Sequence, residues 1–430
     1  MTFNHICVVG LGYIGLPTAC TFAQQGVKVT GVDKNPEVIK SLRSGKVHIF
    51  EPGLQSLVED AIKRNLFSIN EVPVEADAFI IAVPTPFKDG KKADMRYVIA
   101  AAEAIVPVLR KGNLVILEST SPPLTTKNIV LPILEKSNLK VGVDFQLAYS
   151  PERVLPGQIL RELIENARVI GGIDEESAKA GKELYGMFVK GEIILTDSTT
   201  SEMVKLMENT YRDVNIAIAN EFARLADRFG VDVWEAIEIA NLHPRVKILN
   251  PGPGVGGHCI SVDPWFFVEA APDIAKLIYS ARRVNDDQPD FVVELLKKNI
   301  ENLADKNITV LGLAYKPDVD DLRESPAVEI ALKLIQENSN LTIYEPYRPE
   351  FTLEGAKTAN SMEDAIYEAD VLLLLVGHDQ LKKLDPNIIK SKTKAKIIFD
   401  TVNVLTKSDW EENGFIIYRL GDQKEKVLSS

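Results

Sequence analysis

The sequence is poor in the residues that cross-link secreted proteins or build zinc sites. Only three cysteines occur in 430 residues (Cys7, Cys20 and Cys259), too few for a disulfide framework in a chain of this length, and their spacing matches no zinc motif. The chain also lacks an apolar run near the ~20 residues of a membrane helix, and its N-terminus lacks the basic and apolar regions of a signal peptide. We therefore expect a cytoplasmic protein without a metal site or a membrane anchor.

Positive charge is scarce as well. The chain has 61 acidic and 49 basic residues and a net charge of −12, which argues against nucleic-acid binding, because general affinity for phosphate backbones needs a surplus of cations. A small anionic ligand held by a few local cations remains compatible with this balance. Apolar residues make up 45% of the chain, which indicates a globular protein, and the length indicates two or three domains.

The first part of the chain alternates between strand and helix patterns. Short and almost continuously apolar runs at residues 6–9, 27–32, 78–83 and 114–117 predict strands, and the stretches between them predict helices. Apolar strands that alternate with helices are typical of a parallel sheet covered on both faces. We therefore predict a doubly wound α/β domain.

A helical segment follows from about Ser198. Thr199 and Glu202 match a capping box that begins a long helix, and Gly230 is a suitable residue to end it. After a further helix, a loop rich in Pro and Gly interrupts the segment, and helix is expected to resume after Ala271. This middle segment is therefore predicted to be helical apart from that loop.

The α/β pattern returns from Asn307 onward. Apolar runs at residues 308–311, 341–344, 371–375 and 397–399 predict four further strands separated by helices. The predicted fold class is thus α/β, with two doubly wound domains joined by a central helical domain that contains a long helix.

A glycine-rich turn, GLGYIG at residues 10–15, follows the first predicted strand directly. Gly10 permits a tight turn, Gly12 lets the backbone approach a pyrophosphate, and Gly15 lets helix and strand pack closely. Asp33, at the end of the second predicted strand, is placed to bind a ribose 2′-hydroxyl. The motif predicts a Rossmann-like site that prefers NAD to NADP, because the carboxylate repels a 2′-phosphate; FAD remains open from this motif alone.

Thr85 and Thr120 follow the third and fourth predicted strands. Ligands of parallel sheets lie beyond the carboxyl ends of the strands, so both hydroxyls are candidates for contact with the same ligand. By topology alone, ordinary turns explain them equally well.

The segment PGPGVGGHC at residues 251–259 is the most unusual in the chain. Four glycines in six positions cost considerable conformational entropy, which a protein tolerates where its backbone must approach a ligand. Cys259 ends this loop, and Asp263 follows four residues later. Neighbouring cations or backbone dipoles lower a thiol pKa and so favour the reactive thiolate. We therefore favour a reactive Cys259 over an inert one, and expect Cys7 and Cys20 to be core residues.

On the long predicted helix, Lys205, Asn209 and Arg212 are spaced to share one face. Apolar neighbours such as Met207 and Tyr211 predict that the helix is largely enclosed, so this polar stripe indicates an anionic or hydroxyl-rich ligand rather than a solvated face. A partly desolvated lysine can also exchange protons.

Further cations stand near predicted strand ends or near the glycine loop. Each of them alone is compatible with a surface loop, but together they indicate phosphate partners in an otherwise acidic protein. They are Arg153, His243, Arg245, Lys316 and Arg323.

Four segments together resemble one family. They are GLGYIGLP at residues 10–17, PER at 151–153, GGHC at 256–259 and RES at 323–325. In this order they resemble the UDP-glucose/GDP-mannose dehydrogenase family, and the resemblance spans nearly the whole chain.

The resemblance implies an NAD-dependent, four-electron oxidation of the C6 hydroxyl of a UDP-sugar to a carboxylate. Segments 83–87, 151–157, 211–215 and 243–246 favour UDP-N-acetyl-D-mannosamine as that sugar, with UDP-N-acetylglucosamine and UDP-glucose as alternatives. An inactive nucleotide-sugar sensor with the same fold is an alternative of another class, and the presence of Cys259 argues against it. The product is expected to feed synthesis of a surface polysaccharide.

By the same resemblance, Cys259 captures the intermediate aldehyde as a thiohemiacetal, and a thioester on this residue is later hydrolysed. Lys205 is implied as an acid/base or as an oxyanion stabiliser. Asn209 and Asp263 are implied as its partners in oxyanion binding and water activation. Glu152 is implied as a carboxylate that takes part in thioester hydrolysis.

The resemblance also implies two sets of binding residues. Those expected to bind NAD are Gly10, Gly12, Tyr13, Ile14, Gly15, Asp33, Thr85, Thr120, Thr126 and Arg323. Those expected to bind the UDP-sugar are Arg153, Val154, Lys205, Asn209, Arg212, His243, Arg245, Gly256, Tyr315 and Lys316.

Three domains are implied in turn: a Rossmann-like NAD-binding domain at 1–197, a central helical domain at 198–304 that holds the cysteine loop, and an α/β domain at 305–430 that binds the UDP-sugar. The helix that begins near Ser201 is expected to form the core of a homodimer or of a larger even homo-oligomer. Neither nucleic acid nor a membrane is expected as a partner.

Overall fold

The computed structural model describes residues 2–300 and 302–423. The chain divides into two compact units. Of the described residues, the first unit contains 2–208 and 269–272, and the second contains 209–268, 273–300 and 302–423.

The first unit is built of short strands that alternate with helices. Its strands are β1 (His5–Val9), β2 (Lys28–Val32), β3 (Phe67–Asn70), β4 (Ala78–Ile81), β5 (Phe87–Lys88), β6 (Lys92–Ala93), β7 (Leu114–Leu117), β8 (Gln146–Tyr149), β9 (Arg168–Gly172) and β10 (Ile193–Asp197). Its helices are α1 (Gly15–Gln24), α2 (Pro36–Arg43), α3 (Leu54–Lys63), α4 (Arg96–Ile105), α5 (Leu131–Leu134), α6 (Ile159–Glu165) and α7 (Glu175–Tyr185).

Apart from the β5–β6 hairpin, these strands form one eight-stranded sheet in the order β10-β9-β8-β7-β4-β1-β2-β3. Neighbouring strands run parallel except β8 and β9, which are antiparallel where Ala148 pairs with Gly172 and Tyr149 with Gly171. The four predicted strands, which are β1, β2, β4 and β7, are parallel as predicted. The antiparallel pair lies between strands that the sequence prediction did not include.

The sheet is covered on both faces, as predicted. Ile6 and Val8 of β1 belong to one buried apolar cluster, and Cys7 and Val9 belong to another. Successive side chains of a strand point to opposite faces, so the two clusters are the two covered faces of one sheet. The expectation that Cys7 and Cys20 are core residues is confirmed, and burial raises the pKa of the Cys7 thiol to about 11.

A 32-residue helix, α8 (Ser198–Phe229), runs from the first unit into the second. Its predicted capping box is wrong, because the Asp197 carboxylate accepts from the N–H (2.9 Å) and hydroxyl (2.5 Å) of Thr200 and so caps the helix. Glu202 instead accepts hydrogen bonds from the N–H of Leu124 (2.6 Å) and the N–H of Thr126 (2.7 Å). Glu202 thus holds a loop of the first unit.

The other end of α8 matches its prediction, but its surroundings do not. Gly230 directly follows the helix with a φ of +70°, so the expected glycine C-cap is confirmed. Met207 is 56% exposed and Tyr211 is 71% exposed, so the helix is not enclosed within this chain. Apolar residues at helical spacing predicted burial but could not say whether the covering surface lies in the same chain.

The second unit begins with helices and ends in a second sheet. Its helices are α9 (Val233–Asn241), α10 (Asp263–Ala270), α11 (Lys276–Asp286), α12 (Gln288–Asn299), α13 (Pro326–Gln336), α14 (Met362–Ile366), α15 (Asp379–Lys382), α16 (Pro386–Lys392) and α17 (Lys407–Glu412). Its strands are β11 (Asn307–Leu311), β12 (Asn340–Tyr344), β13 (Ala356–Thr358), β14 (Val371–Leu374), β15 (Ile397–Asp400) and β16 (Ile416–Arg419).

The second sheet is parallel throughout, in the order β13-β12-β11-β14-β15-β16. Ile308 and Val310 of β11 lie in one buried cluster and Leu311 in another, so this sheet too is covered on both faces. The fold class of two Rossmann-like α/β sheets with helices and a long helix between them is confirmed. The helix α10 was missed, although Pro264 in its first turn is a common helix start.

Among the described residues, the helices are all too short or too polar to cross a membrane. The predicted three-way division at residues 197 and 304 remains a prediction.

Candidate active site

The glycine turn between β1 and α1 has the geometry that its glycines predict. Gly10 has a φ of +97°, and a Cβ there would lie 2.5 Å from the carbonyl oxygen of Ala82. A Cβ on Gly15 would overlap the carbonyl oxygen of Gly10, so only glycine fits there. A Cβ on Gly12 would instead meet nothing within 4 Å. The turn therefore leaves open space beside Gly12, where a pyrophosphate is expected.

Asp33, directly after β2, is fixed against this turn. Its carboxylate accepts hydrogen bonds from the N–H of Leu11 (2.9 Å) and the N–H of Asn35 (2.8 Å), yet the side chain is only half-buried. Tyr13 and Ile14, within the turn, are half-buried too. An open glycine face and an oriented, accessible carboxylate fit the pyrophosphate and ribose of NAD.

The predicted threonines divide into two kinds. Thr85 and Thr120 follow the neighbouring strands β4 and β7 and are half-buried at the carboxyl edge of the sheet. Ser119 joins their turns, since its hydroxyl donates to the carbonyl oxygen of Val83 at 2.7 Å. Thr126 is fully buried, and its hydroxyl donates to Glu202 at 2.6 Å. Thr126 is thus placed to shape the loop, and it has no exposed surface to offer a cofactor.

Glu152 follows β8 and is 9% exposed. Its carboxylate contacts the guanidinium of Arg168 and accepts a hydrogen bond from the N–H of Arg153 at 2.7 Å. The side chain of Arg153 pairs with Glu208 of α8 at 2.7 Å, and the adjacent Val154 is half-buried. The loop therefore presents these residues in fixed positions.

A further carboxylate fixes the end of this loop. Glu51, which is 5% exposed, accepts hydrogen bonds from the N–H of Gly157 (2.7 Å) and the N–H of Ile159 (2.8 Å). Sequence reasoning missed Glu51, because its partners are about a hundred residues away in the chain.

The cysteine loop belongs to the second unit. Gly256 and Gly257 are buried, and a Cβ on either would come within 3.0 Å of Tyr315. The carbonyl oxygen of Cys259 accepts hydrogen bonds from the N–H of Val262 (3.1 Å) and the N–H of Asp263 (2.8 Å), so a tight turn leads into α10. Cys259 itself is exposed. The glycines therefore let the loop pack closely on Tyr315 while the thiol stays accessible.

Two of the predicted catalytic partners meet beside this turn. The side-chain amide of Asn209 donates to the Asp263 carboxylate at 2.5 Å, and both residues are more than nine-tenths buried. Lys205 stands one turn before Asn209 on α8 and is also 9% exposed. The hydrogen bond orients the Asn209 amide and the Asp263 carboxylate relative to each other.

The cations predicted to bind substrate differ in their surroundings. Burial lowers the pKa of Lys316, Arg212 lowers it further, and Asp321 and Cys259 raise it. Arg212 is exposed on α8, as are His243 and Arg245 in the loop after α9. Lys316 and Arg212 are two cations that repel each other near the Cys259 thiol, and such an arrangement favours binding of an anion.

Arg323, predicted to bind NAD, is exposed and forms a two-point pair with Asp321 at 2.9 and 2.8 Å. Asp321 also faces His258 at 3.2 Å. Burial and Arg323 lower the pKa of His258, which favours a neutral imidazole.

A cavity of about 200 Å³ opens at the carboxyl end of the second sheet. Its lining includes Tyr315 and Lys316 after β11, Val376 after β14, Val404 after β15, and Lys382. The strand order reverses between β11 and β14, which is where doubly wound sheets bind ligands. Tyr315 and Lys316 therefore line this cavity together, and their role in binding the substrate remains a prediction.

The comparisons with known proteins agree on one family. Three domain profiles of the UDP-glucose/GDP-mannose dehydrogenase family match the chain: the NAD binding domain at 4–189, the central domain at 199–287 and the UDP binding domain at 309–407.

Individual relatives match over almost their whole length. The UDP-N-acetyl-D-mannosamine dehydrogenase of Methanocaldococcus jannaschii is 51% identical over 98% of this chain and 97% of its own. The UDP-D-ManNAc dehydrogenase structure from Pyrococcus horikoshii has a TM-score of 0.90 and 41% identity over 98% of this chain and all of that one. The NDP-N-acetyl-D-galactosaminuronic acid dehydrogenase of Ralstonia nicotianae is 46% identical over 93% and 96%.

Proposed function

Because the chain belongs to the UDP-glucose/GDP-mannose dehydrogenase family, whose members are NAD-dependent oxidoreductases of nucleotide sugars, we propose that it oxidises C6 of UDP-N-acetyl-D-mannosamine to give UDP-N-acetyl-D-mannosaminuronate. The chain itself carries an NAD binding domain and a UDP binding domain. The choice of sugar follows the relatives from Methanocaldococcus jannaschii and Pyrococcus horikoshii.

One observation carries the chemistry: Cys259 is exposed at the end of a closely packed glycine loop, at the turn into Asp263. A four-electron oxidation passes through an aldehyde, which hydrates or escapes unless it is held. A thiol that adds to the aldehyde keeps it bound and leaves a carbon that can lose a second hydride. The loop thus supplies the one group that separates this oxidation from an ordinary alcohol dehydrogenase.

The reaction balances with two NAD and one water for each sugar. NAD, when bound at the Gly10–Gly15 turn, supplies the acceptor for each hydride. The Cys259 sulfur forms a bond to the C6 aldehyde, and loss of the second hydride from the same carbon leaves a thioester. Water then attacks the thioester carbon, the carbon–sulfur bond breaks, and the thiolate leaves.

Four further residues of this chain serve those steps. Lys205 takes the hydroxyl proton or faces the developing oxyanion. The Asn209 amide, oriented by Asp263, donates to the same oxyanion. Glu152, whose carboxylate is held by Arg168, accepts the proton of the attacking water.

The substrate proposal is tested by NADH absorbance with a panel of UDP-sugars. We expect turnover with UDP-N-acetyl-D-mannosamine and two NADH for each sugar consumed. UDP-N-acetylglucosamine, UDP-N-acetylgalactosamine and UDP-glucose serve as comparisons and are expected to have at least a tenfold lower kcat/KM. A higher kcat/KM with one of these would replace the proposed sugar, and no NADH with any of them would favour a nucleotide-sugar sensor.

We further propose a homodimer formed through α8. Beyond Met207 and Tyr211, this helix exposes Ile218 (42%), Phe222 (39%) and Phe229 (68%) at coiled-coil-like spacing. Sedimentation equilibrium is expected to give twice the chain mass, and Ile218→Asp is expected to shift it toward the monomer. A monomeric wild type at micromolar concentration would contradict this proposal.

The proposed setting is the cytoplasm, where a reduced thiol such as Cys259 is maintained and NAD is available. The uronate product is proposed to enter the synthesis of a surface polysaccharide.

A further inference from the structure

Behind Glu152, two carboxylates share one buried guanidinium. Arg168, the first residue of β9, is 4% exposed, and Glu118, directly after β7, is 3% exposed. One nitrogen of Arg168 donates to Glu118 at 3.1 Å and to the Ser150 hydroxyl at 3.0 Å. The other nitrogen contacts Glu152. A single positive charge is therefore divided between two acids.

The remaining contacts of Glu118 are asymmetric. Tyr185 of α7 donates its hydroxyl to Oε1 of Glu118 at 2.6 Å, and its ring lies 4.1 Å from the guanidinium of Arg168. Arg168 donates to the same Oε1. Oε2 is buried and finds no hydrogen-bond partner within the described part of the chain. An ionised carboxylate with an orphaned buried oxygen is costly, so a proton on Oε2 is favoured.

The charges that face Glu118 agree with this geometry. Burial raises its pKa, Arg168 lowers it, and Glu152 raises it again, with a result of about 7. Glu118 therefore changes its charge near neutral pH. Glu152 is the other carboxylate bound to the same guanidinium, so the change of charge on Glu118 acts on Glu152.

We propose that Arg168 and Glu118 are positioning residues for Glu152: the guanidinium fixes its carboxylate, and the charge on Glu118 sets how fast water gives its proton to Glu152. With Glu118 neutral, Glu152 alone balances the charge of Arg168, and proton transfer from water is slower. With Glu118 ionised, the added negative charge beside Glu152 favours that proton transfer. The inference rests on the proposed function, in which Glu152 serves thioester hydrolysis.

The first test is Glu118→Gln, which keeps the shape of the neutral acid. The measured quantity is the decay rate of the covalent adduct on Cys259, by acid quench and mass spectrometry, across about pH 6 to 8. We expect this rate to rise with pH in the wild type and to stay level in Glu118→Gln, about three- to tenfold below the wild type at pH 8. Equal pH profiles would overturn the proposal.

Two further variants separate positioning from general damage. Arg168→Lys replaces the planar fork with a point charge, so the adduct should persist about tenfold longer while the first burst of two NADH is retained. Tyr185→Phe removes the donor that favours ionised Glu118, so the rise in rate should move to higher pH. A burst lost together with turnover would mean a structural role only.

Matched controls are Arg64→Lys and Glu176→Gln, which change exposed residues of α3's end and α7. Both are expected to leave the adduct's decay unchanged.

A stability measurement tests the shared charge without activity. Because the pKa of Glu118 is raised on folding, its stabilising contribution is present below its ordinary pKa of about 4.5 and is lost as pH rises through about 7. The melting temperature of the wild type relative to Glu118→Gln should therefore fall between about pH 5 and 8. A constant difference would contradict the inference, whereas an inactive wild type would contradict only the proposed function.

Discussion

The two sheets use the same turn after their first strand. Gly10 after β1 and Gly312 after β11 both have positive φ, +97° and +86°. The N–H of Gly10 donates to Val32 at 2.8 Å, and that of Gly312 donates to Tyr344 at 2.9 Å, each the last residue of the neighbouring strand. An acid follows in both cases, Asp33 in the first sheet and Glu345 in the second. The two turns are thus equivalent in backbone and in topology.

The two acids nevertheless differ in burial and in hydrogen bonding. Asp33 is half-buried and accepts two backbone hydrogen bonds, which leaves it accessible to a ribose. Glu345 is 2% exposed, and its hydrogen bonds are formed within its own unit. Its carboxylate accepts from the N–H groups of Leu313, Ala314 and Tyr347, and it faces the His378 ring at 3.1 Å. Exposure, rather than residue type or topology, therefore decides which of the two can bind a ribose.

The turns themselves differ as well. Where the first sheet has Gly12 and Gly15, the equivalent positions of the second are Ala314 and Pro317. The second turn lacks the glycines for close approach of a pyrophosphate and presents Tyr315 and Lys316 to a cavity instead. One fold thus supplies a dinucleotide site in one unit and a different anion site in the other.

The substitution Cys259→Ala is expected to have the largest effect, and it should change catalysis without changing NAD binding. We expect net oxidation to fall at least about a thousandfold, because no thiol holds the aldehyde. NAD affinity, measured by calorimetry, should stay within about twofold, since the glycine turn and Asp33 lie in the other unit. Near-normal turnover would remove the covalent mechanism.

The substitution Asp33→Ala tests the role of the accessible acid in the first unit. Without the carboxylate that accepts a hydrogen bond from the ribose hydroxyl, NAD affinity should fall by about ten- to a hundredfold, and loss of the negative charge should reduce discrimination against NADP. The ratio of kcat/KM values for NAD and NADP is the measurement. If this ratio is unchanged, Asp33 does not contact the ribose.

The sequence predictions that the structure confirms come from local motifs. The turn at Gly10 and the C-cap at Gly230 depend on residues close together in the chain, and both have the expected conformations. The pairing of Glu118 with Arg168 joins residues fifty positions apart across strands whose order no local pattern encodes. The capping box failed for a related reason, because Glu202 found partners in a distant loop.

The smallest effect is expected for Glu345→Gln, the counterpart of Asp33→Ala. Both carboxylate oxygens of Glu345 accept hydrogen bonds, so an amide nitrogen must face a donor and should cost about 1–3 kcal/mol in the free energy of unfolding. Burial raises the pKa of Glu345, but the His378 hydrogen bond and others outweigh this and lower it. Its contribution is therefore present above its ordinary pKa of about 4.5 and is lost as pH falls through the lower folded value.

Denaturant unfolding of Glu345→Gln and wild type at about pH 7 and about pH 3.5 measures this contribution. The difference in the free energy of unfolding between the two proteins should be smaller at the lower pH. NAD affinity at pH 7 should match that of the wild type, because Glu345 forms its hydrogen bonds within the second unit. A loss of NAD affinity as large as that of Asp33→Ala, with unchanged stability, would mean that the second acid also serves the cofactor and that burial does not divide the two roles.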